Sequence, residues 1–436
     1  RMLRVDHDPR RFGDLQMKKS FVVVGGGITG VTTAYALARH GHHVTLIERN
    51  RYAAMETSFA NGGQLSASNA EVWNSWATVW KGMKWLFKRD APLLVNPAPS
   101  WHKFSWFAEF MAAIPSYERN TIATAKMAIA AREHLFGWAR EEAIDFDLRT
   151  EGILHIYRDK AGFEHAGRVS DLLAKGGLPR RAVTPTEMKA IEPTLNGRFY
   201  GGYFTESDAT GDIHKFTHGL ALAAARRGVT VLYDREVLQV SSDGQRAMVT
   251  MRHGGQTETQ SFDNIVVCAG VGSRGLAAQL GDRLNVYPVK GYSITVNLDD
   301  PASQQAAPTV SLLDDETKLV TSRLGLSRFR VAGTAEFNGV NKDIRADRIR
   351  PLIEWVQSCF PGVNTRSVVP WAGLRPMLPN MMPRVGPGRK PNVFYNTGHG
   401  HLGWTLSAGT AEMLAGLVSA EPRIRQVPVG LKTVES

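Results

Sequence analysis

One short segment constrains this chain more than any other: Gly25-Gly26-Gly27-Ile28-Thr29-Gly30. It follows an apolar run, Phe21 to Val24, and precedes Val31, Ala34, Tyr35, Leu37 and Ala38 at helical spacing. His43-Val44-Thr45-Leu46-Ile47-Glu48 comes next, so the order is strand, helix, strand over about 30 residues, the size of a dinucleotide-binding βαβ unit. Gly25, Gly27 and Gly30 satisfy G-x-G-x-x-G. The first permits the tight turn, the second lets backbone approach a pyrophosphate, and the third allows close packing of helix on strand. The phosphates then meet the N–H groups and positive dipole end of a helix opening at Ile28 and Thr29. Glu48, eighteen residues past Gly30, is placed to accept from a ribose hydroxyl. Its carboxylate disfavours a 2′-phosphate and hence NADP, but NAD and FAD both remain open on this motif. A glycine turn that only packs helix against strand is the plainer alternative.

The 436 residues allow two or three domains, and 43% hydrophobic content supplies a substantial core. Cys268 and Cys359 are too few for a disulfide framework, and no Cys/His spacing suggests a metal, so no metal is expected; a reducing, cytoplasmic environment fits. No apolar run reaches the length of about 18 residues that spans a bilayer. Residues 1–16 mix Arg with Asp without a period and read as a disordered or non-native extension, with Met17 as the functional start. The net charge of +11 is spread without a long basic block or a nucleic-acid-binding motif, which argues against nucleic acid as the main partner.

Thr57 to Ser68 is small and polar, a loop composition with adjacent Gly62 and Gly63 where backbone can approach a ligand. Six of the ten Trp then fall between Trp73 and Trp106, interleaved with Lys81, Lys84, Lys88, Arg89 and Lys103. That mixture suits a membrane interface, and equally a helical cap or a subunit contact. Helices are expected over 120–143, 186–191, 215–227, 349–359 and 407–418, and strands over 151–157, 230–233, 236–240, 265–268 and 393–396. Gly254-Gly255 joins two strands as a hairpin, and a mixed sheet is expected from Tyr287 to about Trp371.

Two more glycine-bearing segments bear on the choice of dinucleotide. Cys268-Ala269-Gly270 ends a strand, and Gly398-His399-Gly400-His401-Leu402-Gly403-Trp404 brings backbone N–H groups and a helix start to where a flavin ring would lie. The order of the Gly25–Gly30 turn, Glu56-Thr57-Ser58-Phe59-Ala60-Asn61-Gly62-Gly63-Gln64, Tyr287-Pro288-Val289-Lys290-Gly291-Tyr292, Gly373-Leu374-Arg375-Pro376 and Asn396 to Trp404 resembles the bacterial D-amino acid dehydrogenases. These belong to the flavin-dependent D-amino acid oxidase and glycine oxidase superfamily, and the match runs from about Lys19 to about Ser419.

The resemblance implies an α/β and α+β protein: a Rossmann-like FAD-binding domain, discontinuous in sequence (17–72, 206–283 and 385–422), with a mixed-sheet substrate domain (73–205 and 284–384) and a tail at 423–436. It implies that FAD is held by the glycine turn, Glu48, Arg49, Thr57, Ser58, Asn61, Gly62, Gly63, Gln64, Val237, Ala269, Gly270 and the Gly398–Trp404 segment. The chemistry implied is hydride transfer from the Cα of a D-amino acid, giving an imino acid that hydrolyses to a 2-oxo acid and ammonia. Electrons would pass to a quinone, with peripheral contact at the cytoplasmic face of the inner membrane. Close variants are a cis-4-hydroxy-D-proline dehydrogenase and a glycine- or sarcosine-type oxidase; a flavin-bearing electron-transfer subunit is the alternative of another class. Arg375 matches the superfamily's carboxylate-binding arginine, a role its planar guanidinium suits, while an Arg tying loops together beside prolines is the alternative. Tyr292 lines the pocket or bonds substrate, or is an ordinary strand tyrosine; Lys290 neutralises flavin charge or meets a partner. The Thr57–Gly63 segment holds no His and no Cys follows Cys359, so the FAD is expected to be non-covalent.

Overall fold

The computed structural model describes residues 19–85 and 91–420. The 1–16 extension, Met17, Lys88, Arg89 and the 423–436 tail lie outside the described residues. The run Phe21 to Val24 forms β1 (Ser20–Val24), which buries Phe21 and Val23 on one face and Val22 and Val24 on the other. Cover on both faces is why the run is apolar throughout rather than alternating. β1 is flanked in parallel by β2 (His43–Ile47) and β13 (Asn264–Val267). The sheet continues in parallel to β9 (Thr230–Leu232) and β20 (Val393–Thr397), and β19 (Arg384–Pro387) closes it antiparallel.

Helices α1 (Ile28–Arg39), α7 (Ile213–Arg226) and α11 (Gly403–Ser419) cover the Phe21 face. Asp212 caps α7 by accepting from the N–H groups of His214 and Lys215, which puts His214 at the helix start. The other face is covered by an antiparallel sheet of β10 (Glu236–Ser242), β11 (Ala247–His253) and β12 (Gln256–Phe262), with α8 (Ser273–Gln279) beside it. The Gly254-Gly255 hairpin falls where the sequence places it.

The second sheet is mixed. Its order is β18 (Val368–Met377), β14 (Tyr287–Asn297), β17 (Arg328–Phe337), β16 (Leu319–Leu324), β15 (Ser311–Asp314), β5 (Ile153–Tyr157), β7 (Gly201–Thr205) and β6 (Arg181–Val183). β4 (Leu93–Val95) pairs with the end of β17, and β3 (Gln64–Leu65) with β8 (Ala209–Thr210) forms a small separate ladder. The expected mixed sheet therefore exists but extends past Trp371: Gly373 to Met377 continues β18, an edge strand, the position in a sheet where prolines such as Pro370 and Pro376 are tolerated. β3 also replaces part of the loop expected from Thr57 to Ser68.

The remaining helices fill in between. α2 (Trp76–Trp85) and α3 (Trp101–Ala112) carry the Trp-rich stretch, and α4 (Tyr117–Glu141) and α5 (Lys160–Lys175) follow. The capping box of Thr184 and Glu187 starts α6 (Pro185–Ile191); α9 (Pro301–Ala306) and α10 (Ala346–Cys359) pack toward the second sheet. One helix crosses over. The C-terminal half of α4 places Leu135, Trp138 and Ala139 in the core beneath β1, and Gly409 of α11 packs directly against Ala131. Among the described residues no helix is long and apolar enough to cross a membrane.

Candidate active site

A cavity of about 1260 Å³ is lined by both sheets, above the roughly 300–1,000 Å³ of pockets for drug-sized ligands. Its first wall is the β1–α1 turn. Gly25 has φ of +111°, a left-handed conformation open to glycine, and a Cβ there would lie 2.5 Å from the Cys268 carbonyl. A Cβ at Gly30 would lie 1.7 Å from the Gly25 carbonyl, so the turn closes only with glycine at both positions. Gly27 is the N-cap of α1, and the Ile28 N–H donates to Ser58 Oγ at 3.0 Å, beside Thr29 on the cavity wall. Glu48 is buried at the end of β2: one carboxylate oxygen accepts from Gly26 N at 2.6 Å, the other from Asn50. Asn50 donates twice to Oε1, from its backbone N–H and from Nδ2, so the lone pair left for a ribose hydroxyl is on Oε2.

The other sequence-predicted positions meet around the same space. Arg49 is mostly exposed and pairs with Glu56 at 2.6 Å, Glu56 in turn bonding Lys342 from the loop after β17. Val237 lines the cavity at a bulge in β10, and Ala269 and Gly270 line it after β13. Thr57 donates to the Leu374 carbonyl at 2.8 Å; Asn61 accepts from Gly63 N. Gly62 packs where a Cβ would meet Val320 at 2.5 Å, and Gln64 donates to the carbonyls of Leu312 and Thr321. These ties join the two halves as well as shaping the wall.

The Gly398–Trp404 segment brings the start of α11 to the cavity, with Gly398 at φ of +76° and Gly400 seated against the Met377 sulfur. Leu402 is buried, Gly403 opens α11, and Trp404 packs on Phe146 and Phe216 while donating to the Gly63 carbonyl at 3.2 Å. His399 bonds Thr410 at 2.9 Å, and burial holds its pKa down at about 3. His401 stacks on Trp73 at 4.8 Å; burial, then the nearby Arg375, lower it to about 4. Both imidazoles are neutral at ordinary pH.

Arg375 faces this cavity from β18. Its Nη1 donates to the Thr334 carbonyl at 2.7 Å, and among the described residues no carboxylate lies within ion-pair distance of it. Burial pulls its pKa to about 10, which leaves it charged. Tyr292 also lines the cavity, but its hydroxyl donates to Glu336 at 3.0 Å, and burial together with that carboxylate raises the phenol well above its usual range. Lys290 departs from the expectation of a flavin or partner contact: it is buried outside the cavity lining, 2.8 Å from Asn341 Oδ1 and 3.4 Å from Glu336. A buried ammonium needs such partners, and the loop at 341–343 supplies them.

Sequence reading missed Thr334, Glu336 and Trp73 as parts of the site. A buried acid in the apolar strand β17 was the one available signal, at Glu336. The Trp-rich stretch divides: Trp106 is core, Trp73 is cavity wall, and Trp76, Trp80 and Trp101 are 60, 62 and 83% exposed. Among the described residues no His/Cys/Asp/Glu group is arranged to hold a metal.

A turn that closes only with glycine at Gly25 and Gly30, a buried carboxylate with one oxygen free to accept again and a helix start at the far wall fit an extended dinucleotide, and a cation without a carboxylate partner among the described residues fits an anionic substrate. Fold and site thus define a dinucleotide-binding oxidoreductase with a small-molecule pocket. Comparison with known proteins gives the family. The chain belongs to the FAD dependent oxidoreductase family, whose model matches residues 20–417, and its dinucleotide is FAD. It is 62% identical over 400 residues to D-amino acid dehydrogenase 3 of Mesorhizobium japonicum, covering 92% of this chain and 97% of that one. It is 41% identical to a D-amino acid dehydrogenase of Paramagnetospirillum magneticum, covering 92% and 95%. The fold matches glycine oxidase from Geobacillus kaustophilus with a TM-score of 0.70 at 20% identity, over 96% of this chain and 100% of that chain.

Proposed function

We propose that the protein oxidises D-amino acids to 2-oxo acids and ammonia and passes the electrons to a quinone-type acceptor. The observation that carries this reading is Arg375, a half-buried arginine in the FAD cavity with no carboxylate partner among the described residues; the D-amino acid dehydrogenases at 62 and 41% identity support it. When bound, FAD supplies the hydride acceptor.

The chain's residues do the rest. Arg375 takes the substrate carboxylate bidentately and fixes which face of Cα is presented. Its charge, with no acid in reach, also disfavours a bound ammonium, so the amino group is held neutral with the lone pair that hydride loss needs. His401 Nε2 lies 3.4 Å from the Asn69 carbonyl, which only accepts; the proton therefore sits on Nε2, and Nδ1 is left to accept from the amine. Tyr292 contributes its ring to the wall and, through Glu336, holds strands β14 and β17 in place. Trp73 and Leu402 shield the reacting centre from water.

The proposal extends to FAD held without a covalent bond and to an FAD-binding domain (17–72, 206–283 and 385–422) and a substrate domain (73–205 and 284–384) that share α4, whose C-terminal half enters the core under β1; the exposed Trp76, Trp80 and Trp101 support peripheral contact with the inner membrane. The test is anaerobic mixing of the yellow protein with both enantiomers of common amino acids, cyclic imino acids and sarcosine. D-enantiomers should bleach the flavin, and quinone should restore it. Bleaching by L-enantiomers alone, or by none of the panel, would overturn the reading; colour that stays with acid-precipitated protein would overturn non-covalent attachment.

A further inference from the structure

An arginine side chain is long and flexible, so something must fix the Arg375 guanidinium where a carboxylate can meet it. Three independent features converge on that group. On one side is Gly291 of β14, where a Cβ would lie 2.4 to 2.7 Å from Nη2, Cζ and Nη1. The guanidinium therefore lies directly over the Gly291 backbone, in space that any other residue would fill.

On the other side is the Thr334 carbonyl, 2.7 Å from Nη1. Thr334 has φ of +60°, left-handed backbone that a β-branched residue adopts only under strain. The third feature is the ladder itself. β14 advances two residues, Lys290 to Tyr292, while β17 advances three, Glu336 to Gly333, so β17 bulges at this point. Here too β17 changes its other neighbour: Gly333 still pairs with Leu319 of β16, whereas Ala335 pairs with Leu93 of β4. Thr334 falls in the gap between the two partners, and its carbonyl is released from the ladder to face Arg375.

We infer that Thr334 is a positioning residue for substrate binding: its left-handed backbone, at the bulge where β17 passes from β16 to β4, aims the carbonyl that locks Arg375 into the recess over Gly291. The strain at Thr334 is then stored where substrate is recognised. This rests on the reading of Arg375 as the carboxylate anchor.

The test uses the FAD-loaded protein and four variants: Thr334→Gly, Thr334→Pro, Gly291→Ala and Arg375→Ala. KM and kcat for a D-amino acid are read together with competitive inhibition by propionate, a bare carboxylate probe, and with flavin content and Tm as checks on folding. Thr334→Gly should keep KM and propionate affinity within about twofold, since glycine accepts the left-handed backbone. Thr334→Pro, which fixes φ near about −65°, should weaken both about tenfold, the scale of losing one hydrogen bond to a charged group, with kcat moving less. Gly291→Ala should do the same by filling the recess, and it decides the matter if the proline variant does not fold. Folded, yellow Thr334→Pro or Gly291→Ala protein with unchanged KM and propionate affinity would overturn the inference, as would a Thr334→Gly variant as impaired as the proline one. The underlying reading fails separately, if Arg375→Ala binds propionate as the parent does.

Discussion

A buried side chain without its full complement of partners either costs stability or serves a ligand, and the residues around the cavity divide on that line. On the proposed reading Arg375 belongs to the second kind, whereas Tyr292 has its hydroxyl committed to Glu336. Tyr292→Phe should accordingly cost about 1–3 kcal/mol of stability by leaving Glu336 short of a donor, and change KM little. A Tm equal to the parent's together with a large rise in KM would instead give the hydroxyl a role at substrate. Burial, with Arg375 nearby, holds the pKa of His401 at about 4, well below its ordinary 6.5. Between pH 6.5 and about 4 the unfolded state binds a proton that the folded state refuses, so stability falls on acidification through that window. The loss is on the order of 3 kcal/mol. His401→Gln should make the stability profile shallower there, the buried His399 keeping its own share of the slope, and parallel curves for parent and variant would refute it. At this scale the sequence disclosed Arg375 and the glycines, whose chemistry is local. It did not disclose Thr334, whose part depends on which strands flank β17, or Trp73, whose ring meets His401 from more than 300 residues away in the chain.

Among the elements, the β1–α1–β2 unit was the most legible because turn chemistry, apolar run and helical spacing agree within one short stretch. It also makes a sharp prediction. Gly30→Ala places a methyl 1.7 Å from the Gly25 carbonyl, which forces the start of α1 away from β1. The variant should be recovered with little visible flavin absorbance per protein and a lowered Tm; full flavin content would show that the turn tolerates the shift. β18 was only partly legible, for Pro370, Gly373 and Pro376 read as breakers, and it is the ten-residue ladder with β14 that makes them a strand. α5 carries Gly162 and Gly167 near its start, and the expectation passed over it, although Asp159 caps it by accepting from Gly162 N.

On the scale of the whole molecule, the outer surface of α2 and α3 stands apart. Trp76, Trp80, Met83, Trp101, Phe104 and Met111 are all exposed, with Lys81 and Lys84 beside them on α2. Thr78 and Lys81 of α2 also line the cavity, so the helix is both outer surface and cavity wall. Vesicles containing anionic lipid should sediment the parent protein, and the triple variant Trp76→Ala, Trp80→Ala, Trp101→Ala should bind about tenfold or more weakly. Unchanged binding would remove the lipid reading and favour a contact between proteins. Composition announced the aromatic and basic mixture, but only the packing separates Trp106, which is core, from the exposed three.

The crossing of α4 has a consequence for how the enzyme is made and lost. With Leu135, Trp138 and Ala139 in the core under β1, and with the Gly62–Gln64 segment bonded into β15 and β16, neither sheet is a detachable module. Whatever FAD contributes on binding the glycine turn is therefore shared with the distant strands that carry Arg375. Supply of the vitamin from which flavin is built then governs the lifetime of the whole polypeptide in the cell, and not merely the fraction of it that is coloured.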